Sequence, residues 1–362
     1  MAIRGRDTLS AEVIVVGAGV IGLTAAVALA ERGIAVTLIG RQMPGEASPA
    51  AAGMLAPSVE RASGSAHDFG IAARDRYPSY VEFLAERTGT LVSLNRLGIL
   101  QVALSEKGIK GLAKTAPSTA RWLDSKELHK LEPALSHALG AMFNPDDGAV
   151  DNVVLLEALH QLVSKSLLIG EVDDVVAVID AGRDSAVVTT ATGASHSARK
   201  VVVAAGAWAG KIPGAGFARA VTPSRGQLVS YSGSPLRHVA YGPRGYIVPR
   251  GTVTIGGSTM ENVGFDSDTT AAGVKKVRAA SEEICPHLAV APQINAWAGL
   301  RPVTPDMLPI LGEDPDRPSL LYACGHSRNG VLMAPLSGDI IADLVTGTPL
   351  SHDLSQFRPD RF

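Results

Sequence analysis

The chain has 362 residues, of which 46% are hydrophobic and 19% charged, and its net charge is −2. This length and composition exclude a peptide hormone, a lone small binding module and a disordered chain, and they predict two domains. The charge is balanced, so we expect neither nucleic acid nor an anionic membrane as a partner. The sequence contains two cysteines, Cys285 and Cys324, which are too few for a disulfide framework and favour a reducing, cytoplasmic compartment.

The N-terminal segment imitates a secretion signal. Residues 13–30 carry no charge, and Arg4 and Arg6 precede them. Three glycines interrupt the segment, however, and Asp7 and Glu12 dilute the positive charge before it. We therefore interpret the segment as the beginning of the fold.

The first predicted elements form a βαβ unit. Val13–Val16 is a short β-branched stretch typical of a buried strand, 25–32 is predicted as a helix closed by Gly33, and 34–39 as a second strand. Apolar strands of this kind belong to parallel sheets that are covered on both faces. The pattern predicts a doubly wound, Rossmann-like α/β domain.

The later elements are predicted from periodicity and turn residues. The predicted helices cover 69–86, 155–163, 274–284 and 331–345, and the predicted strands cover 97–104, 172–178, 187–190 and 200–206, with antiparallel strands between 226 and 259. Residues 43–58 are rich in small residues and show no periodicity, which fits either a linker or a tightly packed functional loop. Elements suited to the first sheet occur at both ends of the chain, so we expect that domain to be discontinuous.

A glycine motif follows the first strand. Gly17, Gly19 and Gly22 have the spacing of a dinucleotide fingerprint between a strand and a helix. The first glycine permits a tight turn, the second lets a pyrophosphate approach the backbone, and the third lets helix and strand pack closely. The motif predicts a bound dinucleotide.

The end of the second strand departs from this pattern. An acidic residue normally stands there and binds the ribose hydroxyls, but this chain has Gly40 and Arg41. An arginine at this place could accommodate a ribose phosphate, so NADP remains an alternative to FAD on the motif alone.

Five further segments, in the same order along the chain, resemble the FAD-dependent D-amino-acid oxidase family, and above all its glycine oxidase branch, which serves thiamine biosynthesis. They are 48–57 (SPAAAGMLAP), 246–250 (YIVPR), 297–302 (WAGLRP), 304–306 (TPD) and 325–330 (GHSRNG). The resemblance implies an FAD-binding domain of residues 1–85, 145–220 and 300–362. It also implies a substrate-binding domain of residues 86–144 and 221–299, built on an antiparallel sheet with helices (α+β).

The glycine motif and the resemblance together imply the cofactor contacts, and the resemblance implies that residues 51–54 and a second loop, 325–332, contact the flavin and that Val175 contacts the adenine. The contacts are Gly17, Gly19, Val20, Ile21, Gly22, Arg41, Ala51, Ala52, Gly53, Met54, Val175, Gly206, His326, Arg328, Asn329, Gly330, Val331 and Leu332. Neither cysteine lies in 301–311, where relatives with covalent flavin have one, so we expect non-covalent FAD. No metal-ligand spacing is present, and we expect no metal.

By the same resemblance, Arg301 anchors the substrate carboxylate through its planar fork, and Tyr246 adds a hydrogen bond. The carbonyl of Arg328 accepts a hydrogen bond from the substrate amine, and Met260 lines the pocket. Arg244 stands two residues before Tyr246 and either faces the pocket at the alternate strand position, favouring an acidic side group, or lies on its rim.

The implied reaction is oxidative deamination of a small amino acid by hydride transfer to flavin N5, with O2 reoxidising the flavin to give H2O2. Glycine is the first choice of substrate, followed by sarcosine and small D-amino acids. Val303 and Ser327 stand where the family pattern has a glycine and an aromatic residue. These two differences affect the expected volume of the substrate pocket. Transfer of iminoglycine to a thiazole synthase is an implied partnership, and a homo-oligomer is compatible with the sequence. The alternatives are an amine or imino-acid dehydrogenase with another electron acceptor, and a non-catalytic flavin-binding subunit.

Overall fold

A computed structural model describes residues 11–60 and 62–362, so that Arg4, Arg6 and Asp7 lie outside the described residues. The helices are α1 Val20–Glu31, α2 Ala47–Ala50, α3 Ser65–Asp75, α4 Tyr77–Thr88, α5 Glu106–Thr115, α6 Ser125–Leu131, α7 Asn152–Lys165, α8 Ala271–Ile284 and α9 Gly330–Thr346. The strands are β1 Val13–Val16, β2 Val36–Ile39, β3 Met54–Leu55, β4 Leu94–Asn95, β5 Ile99–Ala103, β6 Arg121–Asp124, β7 Gly140–Asn144, β8 Gly148–Val150, β9 Ile169–Val172, β10 Val176–Ala181, β11 Ala186–Thr190, β12 Ser195–Ala198, β13 Lys200–Val203, β14 Thr222–Ser232, β15 Val239–Tyr241, β16 Tyr246–Arg250, β17 Val253–Gly257, β18 Gln293–Val303, β19 Ile310–Glu313 and β20 Leu320–Cys324.

Contacts divide the chain into two compact units. Unit one contains the described residues up to Met43 together with Glu157–Thr222 and Pro302–Phe362, and unit two contains Pro44–Leu156 and Pro223–Arg301. Residues 44–85 and 145–156, which we assigned to the FAD-binding domain from the sequence, belong to unit two by these contacts. A compact unit is not the same thing as a ligand-binding domain, so the assignment of the ligand-binding domains stays a prediction.

Unit one is built on a six-stranded sheet with the order β19-β20-β13-β1-β2-β9. The pairs β20–β13, β13–β1, β1–β2 and β2–β9 are parallel, and only the edge strand β19 is antiparallel. Ile14 of β1 is fully buried and packs with Ile179 and Val188 of a separate three-stranded sheet with the order β10-β11-β12, which explains its apolar character. The predicted Rossmann-like α/β fold is confirmed.

Helices α1 and α9 pack against each other in unit one. The hydroxyl of Thr24 in α1 donates to the carbonyl of Ala334 in α9 at 2.9 Å. Gly338 faces the backbone of Thr24, since a Cβ at Gly338 would lie 2.7 Å from the Thr24 carbonyl oxygen. The contact brings an early and a late helix onto one sheet.

Unit two contains an eight-stranded sheet with the order β18-β14-β17-β16-β15-β5-β7-β6. Its strand pairs with a defined register are antiparallel except β15–β5, which is parallel. A small sheet of β3, β8 and β4 belongs to the same unit. The apolar face of α8, including Val277 and Ile284, packs with Val229 and Tyr231 of β14.

Several predicted elements differ from the structure. The helix predicted over 69–86 is two helices that meet at Arg76, and α4 carries a proline in its first turn. The strand predicted over 172–178 was wrong: β9 ends at Val172 and pairs with β2, whereas β10 begins at Val176 and pairs with β11. Valines stand before, within and after this turn, at 172, 175, 176 and 178, so the composition of the segment does not reveal the change of sheet.

Candidate functional site

Most of the nucleotide-binding residues predicted in unit one meet at one edge of the parallel sheet. The loops after β1, β2, β9, β13 and β20 all start at the carboxyl ends of parallel strands. The chain runs from β1 to β2 on one side, while β13 and β20 lie on the other, so the strand order reverses at β1. Ligands of doubly wound sheets bind at this switch point. The Gly17–Gly22 turn occupies it.

The glycines of this turn are required by close packing. Gly17 has a φ of +109°, and a Cβ on it would lie 2.4 Å from the carbonyl oxygen of Ala204. A Cβ on Gly22 would lie 1.8 Å from the carbonyl oxygen of Gly17. Both glycines therefore keep the turn tight enough for the backbone to approach a pyrophosphate.

Two helix N-termini complete this edge. Helix α1 starts after Gly19 and α9 after Asn329, and neither cap residue caps its helix with a side-chain hydrogen bond. Such an N-terminus carries partial positive charge and suits an anionic group. The glycine turn and the two helix ends fit the pyrophosphate of a dinucleotide cofactor such as FAD.

The charge of Arg41 is already compensated. Its Nε lies 3.3 Å from Asp173 Oδ1, its Nη2 donates to the Asp173 carbonyl at 2.8 Å, and Nη2 lies 3.9 Å from Asp174. A ribose phosphate would have to compete with these carboxylates. The arrangement therefore disfavours the NADP alternative.

The turn that holds Val175 is fixed by a buried carboxylate. Asp174 accepts hydrogen bonds from the Thr192 hydroxyl and from the backbone N–H of Val175. The hydroxyl of Thr192 lowers the pKa of Asp174 below its ordinary value, and further hydrogen bonds act in the same direction. The backbone at Val175, the predicted adenine contact, is thereby held in place.

We expect Thr192→Val to lower the free energy of unfolding at pH 7. Because the pKa of Asp174 is lower in the folded state, its contribution is present above the unfolded pKa of about 4 and is lost as the pH falls below it. The difference from wild type should therefore shrink between about pH 5 and pH 2. Urea unfolding across this range checks the prediction, with the exposed Thr119→Val as the control; a pH-independent difference would contradict it.

In unit two, the predicted flavin segment 51–54 and the residues before it are held through their backbone. Trp297 Nε1 donates to the Ala50 carbonyl at 3.0 Å, and Arg250 Nη2 to the Ala52 carbonyl at 2.9 Å. The N–H of Val150 donates to the Gly53 carbonyl at 2.8 Å. Gly53 has a φ of +75°, and a Cβ there would lie 2.0 Å from the Val150 carbonyl oxygen. The segment is a tightly packed loop and not a linker.

Arg301 lies on β18 with its guanidinium over Gly226. Nη1 donates to the Thr259 carbonyl at 3.1 Å and Nη2 to Ser258 Oγ at 2.6 Å. A Cβ on Gly226 would lie 2.0 Å from Nη1, so a side chain there would displace the guanidinium from this position. Of the five N–H bonds of an arginine, these contacts use two, and the others remain for a ligand such as a carboxylate.

Tyr246 is brought close to the residues that hold Arg301. Its ring lies on Gly257, where a Cβ would be 2.5 Å from the phenol oxygen. Gly257 directly precedes Ser258, the partner of Arg301. Tyr246 also packs in the apolar cluster that contains Ala52 and Met54. Unit two therefore joins the predicted substrate residues to the predicted flavin segment.

Met260 follows this group on a segment held by a buried arginine. Arg225, which is 4% exposed, binds Glu261 at 2.8 Å and Asp266 at 2.6 Å. Its backbone also exchanges hydrogen bonds with Glu261. Met260 itself is 56% exposed. The backbone beside Met260 is thus held in place, and its side chain is accessible from solvent.

Arg244 lies outside the strand that carries Tyr246, because β16 begins at Tyr246. This position favours the second of the two alternatives, in which Arg244 lies on the rim of the pocket. Its side chain is 62% exposed and Nε binds Glu283 Oε2 at 2.8 Å.

We expect Arg244→Gln to leave the KM for glycine within about twofold of wild type, because an exposed ion pair contributes little free energy. Steady-state kinetics check this, and a KM increase of tenfold would place Arg244 at the substrate.

The second loop for which flavin contact is predicted, in unit one, follows β20. Gly325 has a φ of +71° and Ser327 one of +51°, which is uncommon for a residue with a side chain. His326 is buried, and its Nε2 lies 3.1 Å from Ser337 Oγ. Burial lowers the pKa of His326 to about 3, which favours the neutral imidazole at pH 7.

Among the described residues, no cluster of three or more His, Cys, Asp or Glu could hold a metal ion. The same part of the chain contains no helix that is both long and apolar enough to span a bilayer.

Sequence reasoning missed the residues that hold the flavin segment. Asn152 is an example: its Nδ2 donates to the Ser48 carbonyl at 2.8 Å, and its Oδ1 accepts from Arg250 at 2.7 Å. Arg250 and Trp297 lay within segments that carried the resemblance, but no role followed from their residue types. Only the fold shows which carbonyl oxygens they reach.

Comparisons with known proteins agree with this arrangement. The profile of a family described as DAO, FAD dependent oxidoreductase, matches residues 12–344. Glycine oxidase from Geobacillus kaustophilus is 34% identical, with 96% of both chains covered. Its crystal structure has a TM-score of 0.88 with this chain at 32% identity, covering 97% of this chain and 99% of that one. The bifunctional protein ThiO/ThiG of Trichormus variabilis is 34% identical over 98% of this chain but only 55% of its own length, so the chain spans about half of that relative.

The chain therefore belongs to the DAO family of FAD-dependent oxidoreductases, and FAD is its cofactor. Within that family, the resemblance to the glycine oxidase branch is confirmed.

Proposed function

We propose that this protein catalyses the oxidative deamination of a small amino acid, with glycine as the first choice and sarcosine or small D-amino acids next. The observation that carries the proposal is the convergence of Arg301 and Tyr246 on residues 257–259. Similarity to glycine oxidases over nearly the whole chain supports the same activity.

Each substrate group has a proposed partner. The free N–H bonds of Arg301 bind the carboxylate in two parallel hydrogen bonds, and the Tyr246 hydroxyl adds a third. The Arg328 carbonyl accepts a hydrogen bond from the amine. When bound, FAD supplies the oxidising chemistry, which is hydride acceptance at N5 and reduction of O2 to H2O2. The imino acid formed is either hydrolysed to an oxo acid and ammonia or transferred to another enzyme.

Glycine residues beneath Arg301 and Tyr246 support a rigid anchor for the substrate carboxylate. Gly226 lies directly under the guanidinium and Gly257 directly under the Tyr246 ring, so both side chains lie flat on the sheet. Tyr241 packs against Tyr246 with ring centroids 5.5 Å apart and holds that ring in place. A rigid carboxylate anchor of this kind fixes the position of the adjacent Cα.

Anaerobic mixing with glycine, sarcosine and D-alanine tests the proposal through the loss of yellow flavin absorbance. We expect bleaching by glycine, followed by one H2O2 per turnover when air is admitted. Bleaching that O2 reverses slowly and a quinone reverses quickly would instead show a dehydrogenase. A flavin that no amine bleaches would overturn the proposal and favour a non-catalytic flavin-binding subunit.

We also propose that iminoglycine is passed to a thiazole synthase. Relatives named bifunctional protein ThiO/ThiG support this, because they contain a segment similar to this chain within a chain of about twice its length.

We propose a reducing, cytoplasmic compartment for the protein. Cys285 and Cys324 are buried and form no disulfide, which is compatible with this compartment.

A further inference from the structure

The end of β2 in unit one cannot carry the carboxylate that dinucleotide folds normally have there. A Cβ on Gly40 would lie 2.8 Å from both the backbone nitrogen and the Cβ of Ala18. Any side chain at Gly40 would thus have to displace the glycine turn itself. The ribose hydroxyls of the adenosine half of FAD therefore need another acceptor.

The neighbouring strand end offers one. β9 lies parallel beside β2, and the N–H of Gly40 donates to the carbonyl of Val172, the last residue of β9, at 3.0 Å. Asp173 and Asp174 follow Val172, and the loop after β2 also contains Glu46, which belongs to unit two. Asp174 is buried and engaged by Thr192, so Asp173 is the remaining carboxylate of unit one in the described loops after β1, β2 and β9.

Asp173 is held in place but still accessible. Its side chain is 83% exposed. Arg41 contacts it twice, through Nε to Oδ1 at 3.3 Å and through Nη2 to the backbone carbonyl at 2.8 Å. Among the described residues, no hydrogen bond engages its Oδ2. A carboxylate fixed on one oxygen and open on the other suits a ribose diol, since hydroxyls donate to it in charge-assisted hydrogen bonds.

We propose that Asp173, clamped by Arg41, accepts the hydrogen bonds of the adenosine ribose hydroxyls of FAD in place of the missing carboxylate at the end of β2. The hydrogen-bond acceptor, Asp173, then follows β9, the parallel neighbour of β2, and Arg41 positions it. This inference depends on the FAD cofactor and not on the proposed substrate.

The test measures FAD affinity with the full chain from which flavin has been removed. The variants are Asp173→Asn and, as a control with the same charge change, Asp184→Asn, whose side chain is exposed in the turn between β10 and β11. The ligands are FAD and an FAD analogue that lacks both hydroxyls of the adenosine ribose. Calorimetry gives Kd without any turnover.

We expect Asp173→Asn to weaken FAD binding at least about tenfold, the effect of losing a hydrogen bond to a charged group, and to leave binding of the analogue within about twofold of wild type. Asp184→Asn should leave the affinity for FAD unchanged. Removal of a negative charge near the pyrophosphate would by itself tighten binding, so the direction of the change separates a hydrogen bond from a general charge effect.

Unchanged or tighter FAD binding by Asp173→Asn, or an equal loss for FAD and analogue, would overturn the proposal. The variant should fold, because the Arg41–Asp173 pair is exposed and contributes little to stability. If it does not, Arg41→Gln leaves the carboxylate and removes its clamp. A loss of affinity for FAD but not for the analogue would then support the proposal, and equal effects on both ligands would overturn it.

Discussion

Replacement of Arg301 by Ala is expected to lower kcat/KM for glycine by about 10- to 150-fold, because it removes a charge-assisted anchor worth about 1.5–3 kcal/mol. Arg301→Lys should recover only part of this loss, since an ammonium cannot form two parallel hydrogen bonds to a carboxylate. Anaerobic titration of flavin bleaching with glycine measures substrate capture directly, and steady-state kinetics measure its consequence.

A matched control separates the anchor from a general effect of arginine removal. Arg278→Ala removes an arginine of the same unit that forms a partly exposed ion pair with Glu282 on α8. We expect its kcat/KM to stay within about twofold of wild type. Substrate capture that is unchanged in folded Arg301→Ala would remove Arg301 from the substrate site.

Gly22→Ala is expected to prevent FAD binding and to lower the free energy of unfolding by about 3 kcal/mol or more. The added methyl would lie 1.8 Å from the carbonyl oxygen of Gly17, which is backbone and cannot rotate away. Helix α1 would have to move off β1, and the turn at the switch point of the sheet would open. Flavin content after purification and urea unfolding of the variant measure both effects.

Gly33→Ala, at the other end of α1, is the control for this substitution. Gly33 has a φ of +80°, but a Cβ there meets nothing within 4 Å. Its replacement should therefore cost only the left-handed conformation, about 1–2 kcal/mol, and leave FAD bound. Equal losses of flavin in the two variants would contradict the packing role of Gly22.

The sequence predicted the nucleotide end of the fold because its signals are local. The spacing of Gly17, Gly19 and Gly22 and the β-branched strand before them reflect a turn and a helix start within ten residues. The turn at Asp173–Val175 was missed because β-branched valines stand on both sides of it and within it. What ends the strand is the side chain of Asp174, held by a hydroxyl eighteen positions later.

The substrate residues were predicted from the family resemblance. The hydrogen-bond partners that hold them in place were not predicted. That Arg301 donates to Ser258 and Thr259 depends on the strand order β18-β14-β17, which brings residues more than 40 positions apart in the chain close together. The sequence also did not reveal the partner of Arg244, which precedes β16 and forms an ion pair with Glu283 on α8. Spacing along the chain does not predict such partners.

The order of the strands in unit one has a consequence for synthesis on the ribosome. β1 emerges first, yet its neighbour β13 begins at Lys200, and β20 follows at Leu320. Until these late strands appear, one edge of β1 is unpaired and the apolar surface of α1 lacks α9. Long-range strand pairings of this kind form slowly and leave aggregation-prone intermediates with exposed apolar surface. We therefore expect the nascent chain to depend on chaperones, and to acquire its flavin only after its last helix has left the exit tunnel.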